Sequence, residues 1–400
     1  MIVKKCQLCG SENIKMIINL DFHPLADTFL KNLNEQEVFY PLRVFLCQEC
    51  GYTGLLNIVD APDRYQKNEY SYTSSNSPVA LAHFKEMAQQ VIEKVKITEN
   101  DLVVDIGSNV GTLLKNFGEQ ANCKILGIEP SSNIAELARK DGILTIEEFF
   151  NKNAVDEILK KRGKAKAITC TNTFNHISDL NEFMKNIDEI LADDGYFIFE
   201  APYMLTLVND LAFDTIYLEH ISYFSVKPFE KFFKKLGFFI SHLEANDYMG
   251  GSIRVYVGRK ETNHKFLKEF LDKEESAKIF ELETYENMMA KIRNLKFNLC
   301  KELYEVKGNG GKIIGIGAAT KGNTLLNYCK IDNTLIDFIT DSSSLKIGKF
   351  TPGSHILIKS DSDITPDIEY ALILPWNIGE FLKNKLKHLN LKFIVPVIKK

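Results

Sequence analysis

The chain has 400 residues, a formal net charge of −4 and 45% hydrophobic residues, enough apolar material for two or three packed cores. That charge argues against a nucleic-acid surface built on Lys and Arg. No apolar run approaches the roughly 20 residues of a membrane span. The start, Met1-Ile2-Val3-Lys4-Lys5-Cys6, lacks the apolar core of a signal peptide, so the cytoplasm is the expected compartment. In that compartment the eight cysteines are expected to be ligands or buried thiols rather than disulfides.

Cys6-Gln7-Leu8-Cys9 and Cys47-Gln48-Glu49-Cys50 form two C-x-x-C pairs, each followed by a glycine. Thiolates on two such turns can fill the four corners of a tetrahedron. Cys6, Cys9, Cys47 and Cys50 are therefore expected to bind a structural Zn2+ with no open position for catalysis. The gap between the pairs is longer than in a compact zinc ribbon. Cys123, Cys170, Cys300 and Cys329 read as core residues. His23, before a proline, reads as a packed histidine rather than a fifth ligand. Tyr40 to Leu46 alternates like a strand entering the second knuckle.

Residues 61–80 show no period, and Tyr70-Ser71-Tyr72-Thr73-Ser74-Ser75-Asn76-Ser77 is polar and aromatic. It is either a surface loop or a lid offering phenols and hydroxyls to a polyhydroxylated substrate. Pro78 to Lys96 reads as an amphipathic helix.

Val103 to Thr112 then runs strand, acid, glycine loop, with a helix after it. Gly107 and Gly111 permit a tight turn and close approach of a ligand. Lys124 to Glu129 is a second buried strand ending in an acid, placed to accept from ribose hydroxyls. The spacing of about 20 residues also suits a dinucleotide. However, the loop is Gly-x-x-x-Gly, and Asp105 would repel a diphosphate. A cationic, phosphate-free cofactor is the better match, and the stretch resembles class I methyltransferases that use S-adenosylmethionine (SAM).

A helix (Asn133 to Lys140), a strand at 142–146 and a strand from Ala165 to Thr171 follow. The last ends in Asn172-Thr173-Phe174-Asn175-His176, where sheet-end function collects; His176 is either a site residue or a capping or core histidine. Asp194 to Tyr203 gives a turn, a strand and another sheet end. The alternation over 101–205 predicts a mostly parallel, doubly wound sheet.

Tyr217, Glu219 and His220 fall within four residues. A carboxylate beside an imidazole can fix its tautomer, and a phenol can donate to an oxyanion. That set suits removal of a proton next to a carbonyl, although an ordinary polar surface loop has the same composition. Phe229 to Gly237 reads as a helix. Tyr248 to Val257 reads as a glycine turn entering a strand, on which Arg254 either reaches a phosphate or is merely solvated.

Residues 259–308 have helical spacing and are expected to form a connector packed on the core. Lys312 to Thr324 is another strand, glycine loop and helix start; its amides and Lys321 suit an anion such as a nucleotide diphosphate. Its glycines (315, 317, 322) miss the dinucleotide spacing by one position. Strands are expected at Leu335–Thr340 and Ala371–Leu374.

These motifs together resemble the SAM-dependent sugar C-methyltransferases that act on nucleotide-linked 4-keto-deoxysugars. The resemblance covers nearly the full length. It rests on the two C-x-x-C pairs, Pro-Leu-Ala (24–26), Tyr-x-Tyr-x-Ser-Ser (70–75), Tyr-x-Glu-His (217–220), Gly-Gly-Ser-Ile-Arg (250–254) and Gly-Ala-Ala-Thr-Lys-Gly-Asn-Thr (317–324). It implies His220 as the base, supported by Glu219 and Tyr217, with Tyr72 and His176 on the substrate side. Two positions depart from the family: Val110 replaces an acid in the glycine loop, and Met249 replaces a histidine before Gly-Gly-Ser.

The expected architecture is α/β: a small zinc-binding domain (1–66), a class I methyltransferase doubly wound sheet (67–258), a helical connector (259–308) and a Rossmann-like α/β substrate domain (309–400). Asp105, Gly107, Asn109, Gly111, Glu129 and Asn172 are expected to hold SAM. Arg254, Lys321 and Asn323 are expected to hold a nucleotide-linked sugar, methylated at C3 beside the ketone. A sugar O-methyltransferase, a nicotinamide-dependent oxidoreductase and a zinc-dependent nucleic-acid-binding protein are the competing readings. Neither a nucleic-acid nor a membrane partner is expected, and the protein is expected as a monomer or homodimer.

Overall fold

The computed structural model describes all residues except 68, 76, 262–264 and 397–400; Asn76 of the polar-aromatic cluster thus lies outside the described residues. Chain order begins with β1 (Ile14–His23), β2 (Tyr40–Cys47) and β3 (Thr53–Leu55). These pair antiparallel. Two helices follow, α1 (Ala61–Tyr65) and α2 (Pro78–Val95). The second starts where expected: Ser77 caps it by accepting from the Ala80 N–H, Pro78 sits at its first position, and Lys96 ends it in the left-handed region.

The central sheet is built from β4 (Leu102–Ile106), α3 (Thr112–Ala121), β5 (Lys124–Ile128), α4 (Ser132–Lys140), β6 (Thr145–Ile146), α5 (Lys152–Lys161), β7 (Ala165–Thr171), α6 (Leu180–Ile190) and β8 (Leu191–Pro202). The strand expected at 142–146 shrinks to its last two residues because Gly142 closes a turn with a positive φ of 80°. Next come α7 (Met204–Asn209), β9 (Ser222–Tyr223), α8 (Val226–Lys235), β10 (Phe239–Asn246) and β11 (Ser252–Gly258). The sheet order is β10-β11-β8-β7-β4-β5-β6, with β11 antiparallel to both neighbours. The order reverses beside β4, so a crevice opens at its carboxyl end. The five residues of β4 are all buried, as expected of a strand covered on both faces.

The expected connector is two helices, α9 (Lys265–Ser276) and α10 (Leu282–Gly308). Glu274 of α9 is buried and accepts from the Val226 and Lys227 amides, so it caps α8 from a distance. The last sheet contains β12 (Ile313–Ile316), α11 (Thr320–Cys329), β13 (Ile339–Thr340), β14 (Ile358–Lys359), β15 (Tyr370–Ile373), α12 (Gly379–Lys385) and β16 (Lys392–Ile394). It is parallel, ordered β14-β13-β12-β15-β16, with its own switch point between β12 and β15. The strand expected from Leu335 starts only at Ile339, because Asp332 turns the chain by accepting from the Thr334 N–H. Among the described residues, no helix is long and apolar enough to cross a membrane.

One pairing ties the sheets together. The short strand β9 belongs to the first sheet, not the central one: Thr53 pairs with Tyr223 and Gly54 with Ser222. The segment just after His220 is therefore sewn to the N-terminal sheet.

Candidate active site and metal centre

The four N-terminal cysteines converge, with all four sulfurs within 4.8 Å of one another. Cys6 Sγ lies 3.6 Å from Cys50 Sγ, and Cys9 Sγ lies 3.6 Å from Cys47 Sγ. Four thiolates around Zn2+ at about 2.3 Å stand roughly 3.8 Å apart, so the set fits the ion. Each pair is shaped by a turn in which Gly10 or Gly51 donates back to Cys6 or Cys47. A Cβ at Gly51 would lie 2.7 Å from the Phe280 ring, so the knuckle packs on the chain before α10. His23 stands apart, buried with Nε2 2.7 Å from the Leu20 carbonyl.

The crevice at β4 carries the expected cofactor residues. Gly107 has φ 70°, and a Cβ there would lie 2.2 Å from Thr173 Oγ1. Asp105 accepts from Thr169 at 2.7 Å, and burial, opposed by that bond, raises its carboxyl to about 7. Glu129 accepts from the Asn109 and Ser131 amides, and burial pushes it up as well. Two buried carboxyls in one crevice suit a ligand with an amino group and a sulfonium, and Glu129 keeps lone pairs for ribose hydroxyls. Asn172, with φ 51°, lines the same space and donates its amide to the Glu200 carbonyl.

Asn109 lines the crevice and has a further role, while Gly111 is placed differently. The Asn109 side chain holds the neighbouring segment, accepting from Ser74 N at 2.8 Å and donating to the Tyr72 carbonyl at 3.1 Å. Gly111 starts α3 and backs onto Ile143, where a Cβ would lie 2.7 Å away, rather than lining the crevice. The 70–74 segment is thus no free surface loop. Ser71, Thr73 and Ser74 are buried, and Tyr70 and Tyr72 line the cavity.

The crevice opens into a cavity of about 1380 Å³ that also reaches Tyr217, His220, His176 and, across it, Lys321. His220 is buried, with Nδ1 2.8 Å from the Thr215 carbonyl oxygen. A carbonyl only accepts, so Nδ1 carries the proton and Nε2 keeps its lone pair. Burial lowers the imidazole to about 3; the Thr215 bond opposes this and the Lys321 charge adds to it. The Tyr217 ring lies 3.8 Å from that of His220, and the His176 ring lies 5.0 Å away, edge-on.

Glu219 does not fix the His220 tautomer, contrary to expectation. Adjacent residues on a turn point apart, and its Oε1 instead accepts from the Asp27 amide at 3.2 Å. Burial, then the Asp27 charge, raises its carboxyl to about 7.

Arg254 is likewise no phosphate ligand here. It is buried and paired with Glu200 at 2.8 Å and Glu244 at 3.1 Å. Glu200 also meets His83 at 2.6 Å, and His83 stacks on Tyr248 at 3.7 Å. Lys321 does face the cavity, 4.1 Å from the Trp376 ring, at the start of α11. Asn323 lies behind it and donates to the Ala26 carbonyl at 2.7 Å, so its amide holds the Pro-Leu-Ala block instead of lining the cavity.

Asp27 escaped the sequence reading. Its carboxylate accepts from Thr320 at 2.6 Å and Ser71 at 3.4 Å, and its amide reaches Glu219. It thereby joins all three sheets' loops around the cavity. The only sequence signal was its place beside the Pro-Leu-Ala block. Thr215, Arg64 and Tyr65 were missed too, because their roles come from backbone and long-range contacts.

Three family models match successive parts of the chain: "Putative zinc binding domain" at residues 6–65, "Methyltransferase domain" at 81–243 and "C-methyltransferase C-terminal domain" at 247–397. The C-methyltransferase NovU of Streptomyces niveus is 30% identical, covering 99% of this chain and 96% of that protein. Solved structures cover part of the chain. The PH0226 protein of Pyrococcus horikoshii OT3 covers 47% of this chain and 95% of its own at 16% identity and a TM-score of 0.39. The SAM-bound magnesium protoporphyrin IX methyltransferase of Synechocystis PCC 6803 covers 46% and 82% at 12% identity and a TM-score of 0.35. The four-cysteine knuckles, the SAM crevice and a relative matched end to end agree: this chain belongs to the family of SAM-dependent C-methyltransferases.

Proposed function

We propose that the protein methylates the carbon beside the ketone of a nucleotide-linked 4-keto-deoxysugar, at C3. The observation that carries this reading is the His220–Thr215 bond at the wall of the cavity that also contains Glu129 and Gly107. It leaves a buried neutral imidazole, protonated on Nδ1, whose Nε2 lone pair is free to take a proton.

SAM supplies an electrophilic methyl group. The chain does the rest. Asp105, Glu129 and the Gly107 turn would hold the cofactor. Lys321 and the first amides of α11 receive the diphosphate, opposite the methyl donor. His220 Nε2 takes the C3 proton, and Tyr217, Tyr72 and His176 surround the oxygen on which the enolate charge collects.

A pKa near 3 is low for a base. Burial is the main cause and the Lys321 charge a lesser one, and a phosphate engaged by Lys321 would offset only that lesser part.

The test is incubation with methyl-13C SAM and a panel of nucleotide 4-keto sugars, read by NMR. A labelled methyl on carbon at C3 supports the reading. A labelled methoxy resonance would replace it with O-methylation, which needs only a hydroxyl deprotonated.

A further inference from the structure

The short helix α1 carries two residues that no motif singled out, Arg64 and Tyr65, and both reach the histidines. Arg64 is buried. Its Nε donates to the Val59 carbonyl at 3.0 Å, which fixes the guanidinium. Its Nη1 is shared among the His176 carbonyl at 3.2 Å, the Glu219 carbonyl at 3.4 Å and the Tyr65 phenol oxygen at 3.3 Å. One nitrogen thus spans the two loops that bear His176 and His220. A second link joins the loops directly, with the Ile221 amide donating to the Asn175 carbonyl at 2.8 Å.

Tyr65 is hydrogen-bonded to Nδ1 of His176. The direction of that bond follows from counting donors and acceptors. The phenol oxygen already accepts from Arg64 and has one hydrogen to give. Nδ1 is the acceptor in reach, so the phenol donates. A neutral imidazole that accepts at Nδ1 carries its proton on Nε2. That Nε2 is buried with no hydrogen-bond partner among the described residues, and the ring lines the cavity. A buried donor left unmade is costly, so it is held ready for an acceptor that a ligand brings.

We propose that Arg64 and Tyr65 are positioning residues that lock His176 as the Nε2–H tautomer, the complement of His220, which Thr215 locks as Nδ1–H. The two rings, 5.0 Å apart, then offer the substrate one acceptor and one donor, neither able to exchange roles. The acceptor takes the carbon-bound proton, and the donor meets the ketone oxygen as it gains charge. The chemical assignment rests on the methyl-transfer reading above. The tautomer assignment does not.

The experiment separates the two. Protein labelled with 15N-histidine is examined by two-bond 1H–15N correlation, with SAM bound and no sugar substrate. Two neutral rings of opposite tautomer are expected for His176 and His220, assigned with His176→Gln and His220→Asn. In Tyr65→Phe, which keeps the ring, the His176 pattern should move toward a mixture while that of His220 stays. In the methylation assay Tyr65→Phe should lose kcat by on the order of tenfold to a hundredfold, with KM and SAM affinity near those of the parent. Arg64→Lys should weaken the same tautomer preference in part.

A parent His176 with its proton on Nδ1, or a Tyr65→Phe protein whose His176 pattern is unchanged, overturns the proposal whatever the activity. If the tautomers are as stated but no C-methylated product forms with any 4-keto sugar, the positioning device stands and the reaction assignment fails.

Discussion

Nδ1 of His220 is 2.8 Å from the backbone carbonyl of Thr215, not in contact with the carboxylate of its neighbour Glu219. A backbone acceptor cannot be titrated, so this imidazole keeps one tautomer while it stays neutral. Because burial lowers its pKa to about 3 from the ordinary 6.5, the folded protein resists protonation there while the unfolded chain accepts it. The unfolded state then binds more protons below about 6.5, and stability falls as pH drops. Between pH 7 and 5 this term is worth about 2 kcal/mol. Urea unfolding at the two pH values should show the parent losing about that much more than His220→Asn.

Zinc should matter to catalysis through structure. The ion holds the turns bearing Cys6 and Cys47, and β3, one turn further on, carries β9. The Leu55 amide donates to the Ile221 carbonyl at 2.8 Å, and Tyr52 meets Ser222 at 2.6 Å, so the His220 loop hangs on this sheet. Purified protein should contain one equivalent of zinc by elemental analysis. Stripping it, or Cys47→Ser, should lower Tm by roughly 10 °C or more. Turnover should fall further than SAM affinity, because the β4 crevice lies outside that sheet.

Arg254 should behave as a structural cation. Glu200 is fully buried, held low by His83 and Arg254 against the burial that raises it. Arg254→Met leaves that carboxylate with His83 and Asn246 but without its guanidinium, a loss of about 3–5 kcal/mol for a broken buried pair. Chemical denaturation should register it. Lys321→Met should differ, raising KM for the nucleotide sugar at least tenfold while SAM binding by calorimetry is retained.

Gly107 tests the cofactor crevice. Its φ of 70° and the 2.2 Å from a would-be Cβ to Thr173 leave no room for a side chain. Gly107→Ala should weaken SAM binding by tenfold or more with a smaller change at Lys321-dependent substrate binding, measured by titration calorimetry.

Much of this was legible in the sequence where chemistry is local. The C-x-x-C spacing, the apolar run of β4 and the acid ending β5 each act through neighbours on the chain, and the sequence shows neighbours. The Ser77-Pro78 start of α2 is legible for the same reason. What escaped depends on contacts between distant segments. Arg254 looks free on a strand until Glu200 is brought beside it, 54 residues away in sequence. Asn323 looks like a substrate ligand until it is found holding Ala26. Glu219 beside His220 suggested a pair, yet a turn sends the two side chains apart. Arg64 and Tyr65 act across more than 100 residues on backbone carbonyls and a ring nitrogen, and no local pattern marks them.

The most direct measurement is proton exchange at the carbon to be methylated. The protein is incubated in D2O with the nucleotide 4-keto sugar and S-adenosylhomocysteine, which lacks the transferable methyl, and the C3 proton signal is followed by NMR. The parent should wash deuterium into C3, and His220→Asn should slow this by on the order of a hundredfold or more while still binding the cofactor analogue. Exchange in His220→Asn at the parent rate would show that another group removes the proton and would contradict the account.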